Sequence, residues 1–174
     1  MGSKKSERRR FWLVAVVLLG LLAGSGWAAQ EGQIQHDSGL PVQVVANQLQ
    51  VDDVRGLFVF SGQVQARQDQ ATIYADKLTV FYQQQGSKRQ IERVLAEGAV
   101  RIVQLDRVAY GERAEFFVAE ARIELGGTPR VVQGENEVAG ETIRLYLNER
   151  RSQVEGGSQQ RVRALFVPEH GDAS

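Results

Sequence analysis

The sequence predicts an all-β protein with a single domain, a long and flattened layer structure of bent strands around one apolar interior. Three observations predict this class. Apolar and polar residues alternate from Pro41 to Pro168, which is typical of half-buried strands. Two short phrases recur in turn along the same range. At each copy of the second phrase the apolar positions shift by one residue, as they do at a β-bulge or a sharp bend that keeps one face inward.

The first phrase is centred on a glycine, and the second is a small residue followed by two polar ones. The first phrase recurs at steps of 36 residues, at Gly62, Gly98 and Gly134. The second phrase starts at Ala46, Ala75, Gly111 and Gly140. This alternation indicates one supersecondary unit stacked on itself, with a shared interior and two ends that need caps or partners. We expect the extra residue of each bend in the second phrase, and a gentler mid-strand kink at each glycine.

The first 28 residues have the three-part layout of a secretory signal peptide. A start with five basic residues is followed by an apolar run of 12 residues, Phe11 to Leu22, and then by mostly small residues. We expect cleavage after Ala28. An uncleaved anchor stays open, although the run is shorter than the roughly 20 residues of a bilayer crossing, as do myristoylation and a twin-arginine export signal. We assign 1–28 to the signal peptide, 29–40 to a flexible N-terminal segment, 41–168 to the β domain and 169–174 to a C-terminal tail.

Charge and composition exclude several classes of function. Beyond residue 28 the chain has 16 basic against 20 acidic residues, a net charge of −4, which argues against a nucleic-acid binder. The chain has no cysteine, so disulfides, thiol chemistry and lipidation of a cysteine are excluded. His36 and His170 lie in the predicted tails, and no His/Cys cluster has metal-ligand spacing. We therefore predict no catalytic residue, no metal ligand and no cofactor.

Two sets of charged residues deserve a structural and a functional interpretation. One set recurs just past each bend: Asp76, Glu112 and Glu141. Because these carboxylates repeat with the fold, a role in fixing the corners is favoured over the paired acids of a glycosidase. The other set is basic and interspersed with acids: Lys88, Arg89, Arg93, Arg101 and Arg107. A solvated face is the simpler interpretation, and contact with phosphates at the mouth of a groove is the alternative.

The inward positions of the predicted strands form a long apolar set. Residues 112–125 are rich in helix formers, but they stay in register with the repeat and are assigned to strands. The interior set is either an ordinary dry core or a partly open trough for acyl chains, and periodicity does not separate the two. Its members are Leu49, Val51, Phe58, Phe60, Val64, Ile73, Leu78, Val80, Val94, Val100, Ile102, Phe116, Val118, Ile143 and Leu145.

Several segments resemble one protein family in their order and spacing. They are Phe60–Val64 with Ile73–Val80, then Val132–Tyr146, and finally Arg161–Pro168. On these motifs residues 41–168 resemble the OstA-like family, which includes the periplasmic bridge proteins of lipopolysaccharide transport. The resemblance implies an elongated β-jellyroll of bent antiparallel strands, without enzymatic activity, whose interior accepts the acyl chains of lipid A. Asn136 departs from the pattern, because it stands where the other copies of the phrase have Val64 and Val100.

The resemblance also implies a compartment and partners. The compartment is the periplasm. The partners are lipopolysaccharide, an inner-membrane LptC-like protein of the same fold, the N-terminal domain of an outer-membrane LptD-like translocon, and further copies of the chain joined end to end; no nucleic acid is implied. The joining edges are assigned to Val42, Val44, Val162, Ala164 and Phe166.

We therefore predict a non-enzymatic carrier that passes lipopolysaccharide from the inner to the outer membrane. Two alternatives stay open. One is an inner-membrane-anchored LptC-like protein of the same fold, in which residues 11–27 are retained. The other is an exported glycan-binding or glycan-cleaving β domain.

Overall fold

A computed structural model describes residues 41–86, 88–158 and 160–168, and the regular structure in these ranges consists of twelve β-strands without a helix. The predicted signal peptide, the flexible segment 29–40, the tail 169–174 and both histidines lie outside the described residues. The strands are β1 Gln43–Val45, β2 Gln48–Asp52, β3 Leu57–Gln68, β4 Ala71–Gln85, β5 Lys88–Gln104, β6 Arg107–Phe117, β7 Arg122–Gly126, β8 Arg130–Gln133, β9 Asn136–Ala139, β10 Thr142–Tyr146, β11 Arg151–Glu155 and β12 Arg163–Leu165.

The strands form two half-sheets that share the bent strands β3 to β6, and every pairing is antiparallel. The long half-sheet has the order β2, then residues 57–61, 77–85, 88–97 and 113–117, then β7, β10 and β11. The short half-sheet has the order β1, then residues 64–68, 71–75, 100–104 and 107–111, then β8, β9 and β12. The predicted all-β fold of bent antiparallel strands is confirmed.

The bends lie where the two sequence phrases meet on neighbouring strands. At Gly62–Gln63 and again at Gly98–Ala99 two successive residues have positive φ, between 44° and 79°. The register of β3 against β4 shifts by one residue at the first of these sites, and the register of β5 against β6 shifts at the second. The predicted one-residue shift of the apolar positions is present in the structure. Asp76 and the following Lys77 are both exposed, and they lie between two buried stretches of the strand. The prediction that the extra residue lies in this phrase was wrong, since the extra residue is on the glycine strand.

A glycine in a neighbouring strand, or just beyond its end, makes room for the polar residue at each bend. A Cβ atom on Gly98 would lie 2.3 Å from the Oδ2 atom of Asp76. The same close approach joins three further pairs: Gly62 with Asn47, Gly127 with Glu112, and Gly157 with Glu141. Because a side chain at these glycines would collide with the bend residue, the glycines fix where each strand turns. This geometry supports the corner role assigned to Asp76, Glu112 and Glu141.

The third glycine of the predicted repeat has a different role. Gly134 lies in the two-residue turn between β8 and β9, with φ of 56°, and not in the middle of a strand. The structural series continues through Gly127 and Gly157 instead, so the 36-residue step holds only from Gly62 to Gly98. Asn136 is also explained by this turn. It pairs with Gln133 across the hairpin, and its Oδ1 atom accepts a hydrogen bond of 2.9 Å from the backbone N–H of Val167.

One apolar cluster lies between the half-sheets. Leu125 is fully buried, and Ile143 and Val100 are 2% exposed. Leu125 lies in β7 and residue 116 in β6, so residues 112–117 and 122–125 are strand where their composition favours helix. Burial on one face of an antiparallel pair overrides propensity here, because each large side chain gains about 1.5–3 kcal/mol when it is removed from water.

Candidate functional site: the interior and the two open ends

The structure divides the fifteen predicted interior residues into three groups by burial. Nine are buried: Val64, Ile73, Leu78, Val94, Val100, Ile102, Phe116, Ile143 and Leu145. Four are half-buried: Phe58, Phe60, Val80 and Val118. Leu49 and Val51 are exposed by 53% and 48%, so they do not belong to the buried part of the interior. They share the inward face with Phe60 and Phe58, but they lie on the terminal strand β2, where no further strand covers them.

The inward residues form a continuous apolar track along each half-sheet. In the long half-sheet consecutive partners in the strand register are Val51, Phe58, Val80, Val94, Phe116, Ile123 and Leu145. In the short half-sheet they are Val44, Ala66, Ile73, Ile102, Ala109, Val131, Val138 and Ala164. The tracks run across the strands, from one end of the sheet towards the other.

The interior is closed by apolar side chains near the bends and by an aromatic cluster at the tip of the long half-sheet. Val64 and Val100 beside the bends are each 2% exposed. At the tip the ring of Phe58 stacks on that of Tyr82 at 4.8 Å, and the guanidinium of Arg89 lies 5.4 and 5.2 Å from the two ring centroids. The carboxylate of Asp53 holds this cluster, since it accepts hydrogen bonds from the Tyr82 hydroxyl at 2.6 Å and from Arg89 at 3.0 Å. The bond to Asp53 raises the pKa of Tyr82.

The outward face of the long half-sheet has a charged network that stabilises the fold. Glu115 is 8% exposed and accepts hydrogen bonds from Arg93 and Arg113. Burial alone would raise the pKa of Glu115, but these two guanidinium groups outweigh that effect, and the pKa is lowered. Glu124 similarly accepts from Arg122 at 2.8 Å and from Arg144 at 2.9 Å. Because these carboxylates and guanidinium groups pair with one another on the surface, we assign them a structural role.

Arginine and aromatic side chains alternate on the same outward face. The guanidinium of Arg93 lies 3.9 Å from the ring centroid of Phe81, and that of Arg122 lies 4.1 Å from Phe117. Arg101 makes the same contact with Tyr74 at 4.0 Å on the short half-sheet. These cation–π contacts give a structural role to Arg93 and Arg101, two of the predicted basic residues, within the alternating arginine and aromatic side chains of the surface.

A shallow groove of about 390 Å³ also lies on the outward face of the long half-sheet. Its apolar floor includes Leu57, Val59, Phe81 and Leu95. Its rim has charged side chains, among them Lys77 and Glu97, whose Nζ and Oε2 atoms are 3.6 Å apart. This groove is an alternative to the interior as a binding site for an apolar ligand.

Both ends of the sheet have strands with one uncovered edge among the described residues. β1 and β2 form one end, and β11 and β12 form the other. Of the five predicted edge residues, Val44 and Ala164 lie in β1 and β12, while Val42, Val162 and Phe166 flank these strands. Val42 and Val44 are half-buried, and the other three are exposed. Large apolar side chains are exposed at each end, with Val45 at 57% and Leu165 at 58%.

Within 41–86, 88–158 and 160–168 no group of three or more His, Cys, Asp or Glu side chains could hold a metal ion. No part of the chain that the structure describes forms a helix with the length and hydropathy of a membrane span. The three carboxylates that recur past the bends, Asp76, Glu112 and Glu141, lie at separate corners, against Gly98, Gly127 and Gly157.

Bent antiparallel strands around one apolar interior, with uncovered strands at both ends of the described part of the chain, define an open β-jellyroll. Residues 43–151 match the family described as LptA/(LptD N-terminal domain) LPS transport protein, and the chain belongs to this family. It is thus a transport protein and not an enzyme, and the resemblance to the OstA-like family is confirmed.

Solved structures support the same fold. One is the crystal structure of LptH, the LptA-homologous periplasmic component of the lipopolysaccharide transport device from Pseudomonas aeruginosa. It is 24% identical in sequence, with a TM-score of 0.63, and the match covers 74% of this chain and 96% of LptH. The comparison with curated proteins gives no match. The jellyroll of bent strands is therefore shared with LptH.

Proposed function

We propose that the protein is a periplasmic bridge that shields the acyl chains of lipid A between its half-sheets and passes lipopolysaccharide from the inner to the outer membrane. The observation that supports this proposal is the pair of apolar tracks that run across the strands towards two uncovered ends. A closed storage site would not need apolar tracks that reach the ends of the sheet. A conduit needs them, because its cargo has to leave at the end where the next molecule begins.

The energetics of burial fit a carrier. Each methylene group of an acyl chain gains about 0.8 kcal/mol when it leaves water, so several chains in the interior would be held firmly. The residues beside the bends are tightly packed, and acyl chains can enter only if the half-sheets separate at their tips. The protein presents no nucleotide-binding motif in its sequence, so the energy for onward movement comes from outside it.

Assembly would use the uncovered strand edges. A terminal strand presents backbone N–H and C=O groups to which a strand of another molecule can pair. We assign the β1–β2 edge and the β11–β12 edge to such junctions. The partners in this proposal are a second copy, an inner-membrane LptC-like protein and the N-terminal domain of an LptD-like translocon. The exposed side chains Val45 and Leu165 would be covered at these junctions.

The proposed compartment requires export and release by cleavage after Ala28. The alternative of the same fold is an inner-membrane-anchored LptC-like protein that keeps its apolar segment. Intact mass measurement of the protein isolated from cells distinguishes the two. A mature chain that starts at Ala29 supports the released carrier, whereas a chain that retains residues 11–27 supports the anchored protein.

Separation of the half-sheets is the test of lipid entry. The chain has no cysteine, so spin labels can be attached to cysteines placed at Gln83 and Gln70, exposed positions near the tips of the long and short half-sheets. Lipopolysaccharide should lengthen the distance between these labels by a few ångströms. A control pair at Gln83 and Glu149, both in the long half-sheet, should not change. Lipid entry between the half-sheets is refuted if saturating lipopolysaccharide leaves the Gln83–Gln70 distance unchanged.

A further inference from the structure

The inward face of the short half-sheet changes from apolar to polar at its free tip. The row beside the bends and the middle row are apolar, as shown by Val100 and Ile102 on β5. The outermost row is formed by consecutive register partners on six strands. These partners are Gln68, Ala71, Gln104, Arg107, Gln133 and Asn136.

This row, here called the amide lip, keeps the inward parity of the core. Gln104 follows the buried residues Val100 and Ile102 at alternate positions on β5, and Arg107 precedes the buried Ala109 on β6. All five polar members of the amide lip are half-buried. The ordinary place for glutamine is the outward face, so four carboxamides and a guanidinium in one inward row need an explanation.

The opposite lip, on the long half-sheet, has the stacked rings of Phe58 and Tyr82, which Arg89 and Asp53 hold in place. Tyr82 pairs with Ile91, and the backbone N–H of Val118 donates to Glu92 beside it. The chain then continues through the buried Ala121, whose carbonyl accepts from the N–H of Leu147. The two lips therefore differ in kind, with stacked aromatic rings and one ion pair on the long half-sheet and a row of carboxamides with one guanidinium on the short half-sheet.

We infer that the amide lip binds the polar headgroup of the cargo, a phosphorylated saccharide, while the acyl chains lie deeper between the half-sheets. Carboxamides both donate and accept hydrogen bonds, which suits sugar hydroxyl groups. The guanidinium of Arg107 adds a charge-assisted donor for a phosphate or hydroxyl oxygen. This inference rests on the proposed function, because the headgroup is set by the cargo assigned there.

The neighbouring charges and contacts fit this assignment. Two members of the amide lip are already held in place, since Gln133 donates from Nε2 to Asp106 at 2.9 Å and Asn136 accepts from the backbone of Val167. Gln104 and Arg107 lie between Gln68 and these anchored ends. The turns next to the row have three acids, Asp69, Asp106 and Glu135. Carboxylates accept hydrogen bonds from sugar hydroxyls but repel phosphate, so saccharide contacts dominate and Arg107 is the one cation within the row.

The test compares inward and outward substitutions in the same half-sheet. The variants Arg107→Gln and Gln104→Ala change the amide lip, and Arg67→Gln and Gln65→Ala are matched changes on the exposed outward face of β3. Each full-length mature protein is titrated with fluorescent lipopolysaccharide and with a fluorescent fatty acid that has no saccharide. Thermal melting of each variant confirms that it is folded.

We expect Arg107→Gln to weaken lipopolysaccharide binding by about tenfold, the effect of losing one charge-assisted hydrogen bond. Gln104→Ala should weaken it by less, and fatty-acid binding should not change in either variant. The inference is overturned if Arg67→Gln weakens lipopolysaccharide binding as much as Arg107→Gln, or if the lip variants weaken both probes equally. If the wild type does not bind lipopolysaccharide, with or without binding of the fatty acid, the proposed function itself fails.

Discussion

The bend at Gly98 offers a quantitative test of how the fold is built. The substitution Gly98→Ala would force an alanine into a backbone conformation with φ of 78°. The left-handed region costs a residue with a Cβ atom about 1–2 kcal/mol. The added Cβ would also lie 2.3 Å from Oδ2 and 2.8 Å from Cβ of Asp76. Because the Cβ of Asp76 is fixed to the backbone, rotation of the carboxylate relieves only part of the collision, and overpacking adds about 1–3 kcal/mol.

We therefore expect Gly98→Ala to lower the free energy of unfolding by about 2–5 kcal/mol, a large part of the stability of a small domain. Two controls separate strain from collision. Gly134→Ala carries a positive φ of 56° with no atom within 4 Å, and should cost about 1–2 kcal/mol. Gly126 likewise has open space around it but no positive φ, so Gly126→Ala should have little effect.

The assay is urea denaturation of the mature protein followed by circular dichroism, with the free energy taken by linear extrapolation. Both tryptophans lie in the predicted signal peptide, so tryptophan fluorescence does not report on this domain. A double substitution with Asp76→Ala should recover part of the loss. If Gly98→Ala costs no more than Gly134→Ala, the collision with Asp76 is absent and the account of the bends is refuted.

Two further predictions concern pH and assembly. Glu115→Gln should lower the free energy of unfolding by about 1–2 kcal/mol at pH 7, since it removes charge-assisted bonds to two partly exposed arginines. Because the folded-state pKa of Glu115 is lowered, this advantage of the wild type is present above about pH 4.3 and shrinks as the pH falls below that value. Urea denaturation of both proteins at several pH values checks this. A difference in unfolding free energy that does not depend on pH would contradict the role given to the Glu115 carboxylate. Val45→Lys and Leu165→Lys should reduce the size of assemblies measured by light scattering, whereas Val54→Lys, at a hairpin tip where the side chain is 98% exposed, should not. Equal effects at all three positions would exclude a specific role for the edges.

The sequence predicted the strands and most of the interior because burial imposes a period of two on both half-sheets. The inward parity of Val64, Ile73 and Val100 is visible in the sequence alone, and these residues are buried. The exposure of Leu49 and Val51 was not predictable from parity. Their pattern matches the core, but only the sheet order shows that β2 is terminal.

The errors in the repeat arise from local sequence that looks alike in different backbone environments. Gly134 follows Gly98 by the same 36 residues as Gly98 follows Gly62, yet it lies in a turn because β8 and β9 are short and close a hairpin. The true successors, Gly127 and Gly157, are recognised only through their contacts with Glu112 and Glu141. The amide lip was missed because glutamine suggests an outward face, although Gln68 and Gln104 continue the inward parity.

The central claim is that lipid A acyl chains lie between the half-sheets and not on the outward groove. Phe60 and Val59 are neighbours on β3 that face opposite sides, since Phe60 packs against the core and Val59 lines the outward groove. A photo-crosslinking residue at either position, irradiated in cells that export lipopolysaccharide, measures which side the lipid contacts. The account predicts a lipopolysaccharide adduct at position 60 and none at position 59. An adduct at position 59 alone, or at neither position in folded protein, would contradict it.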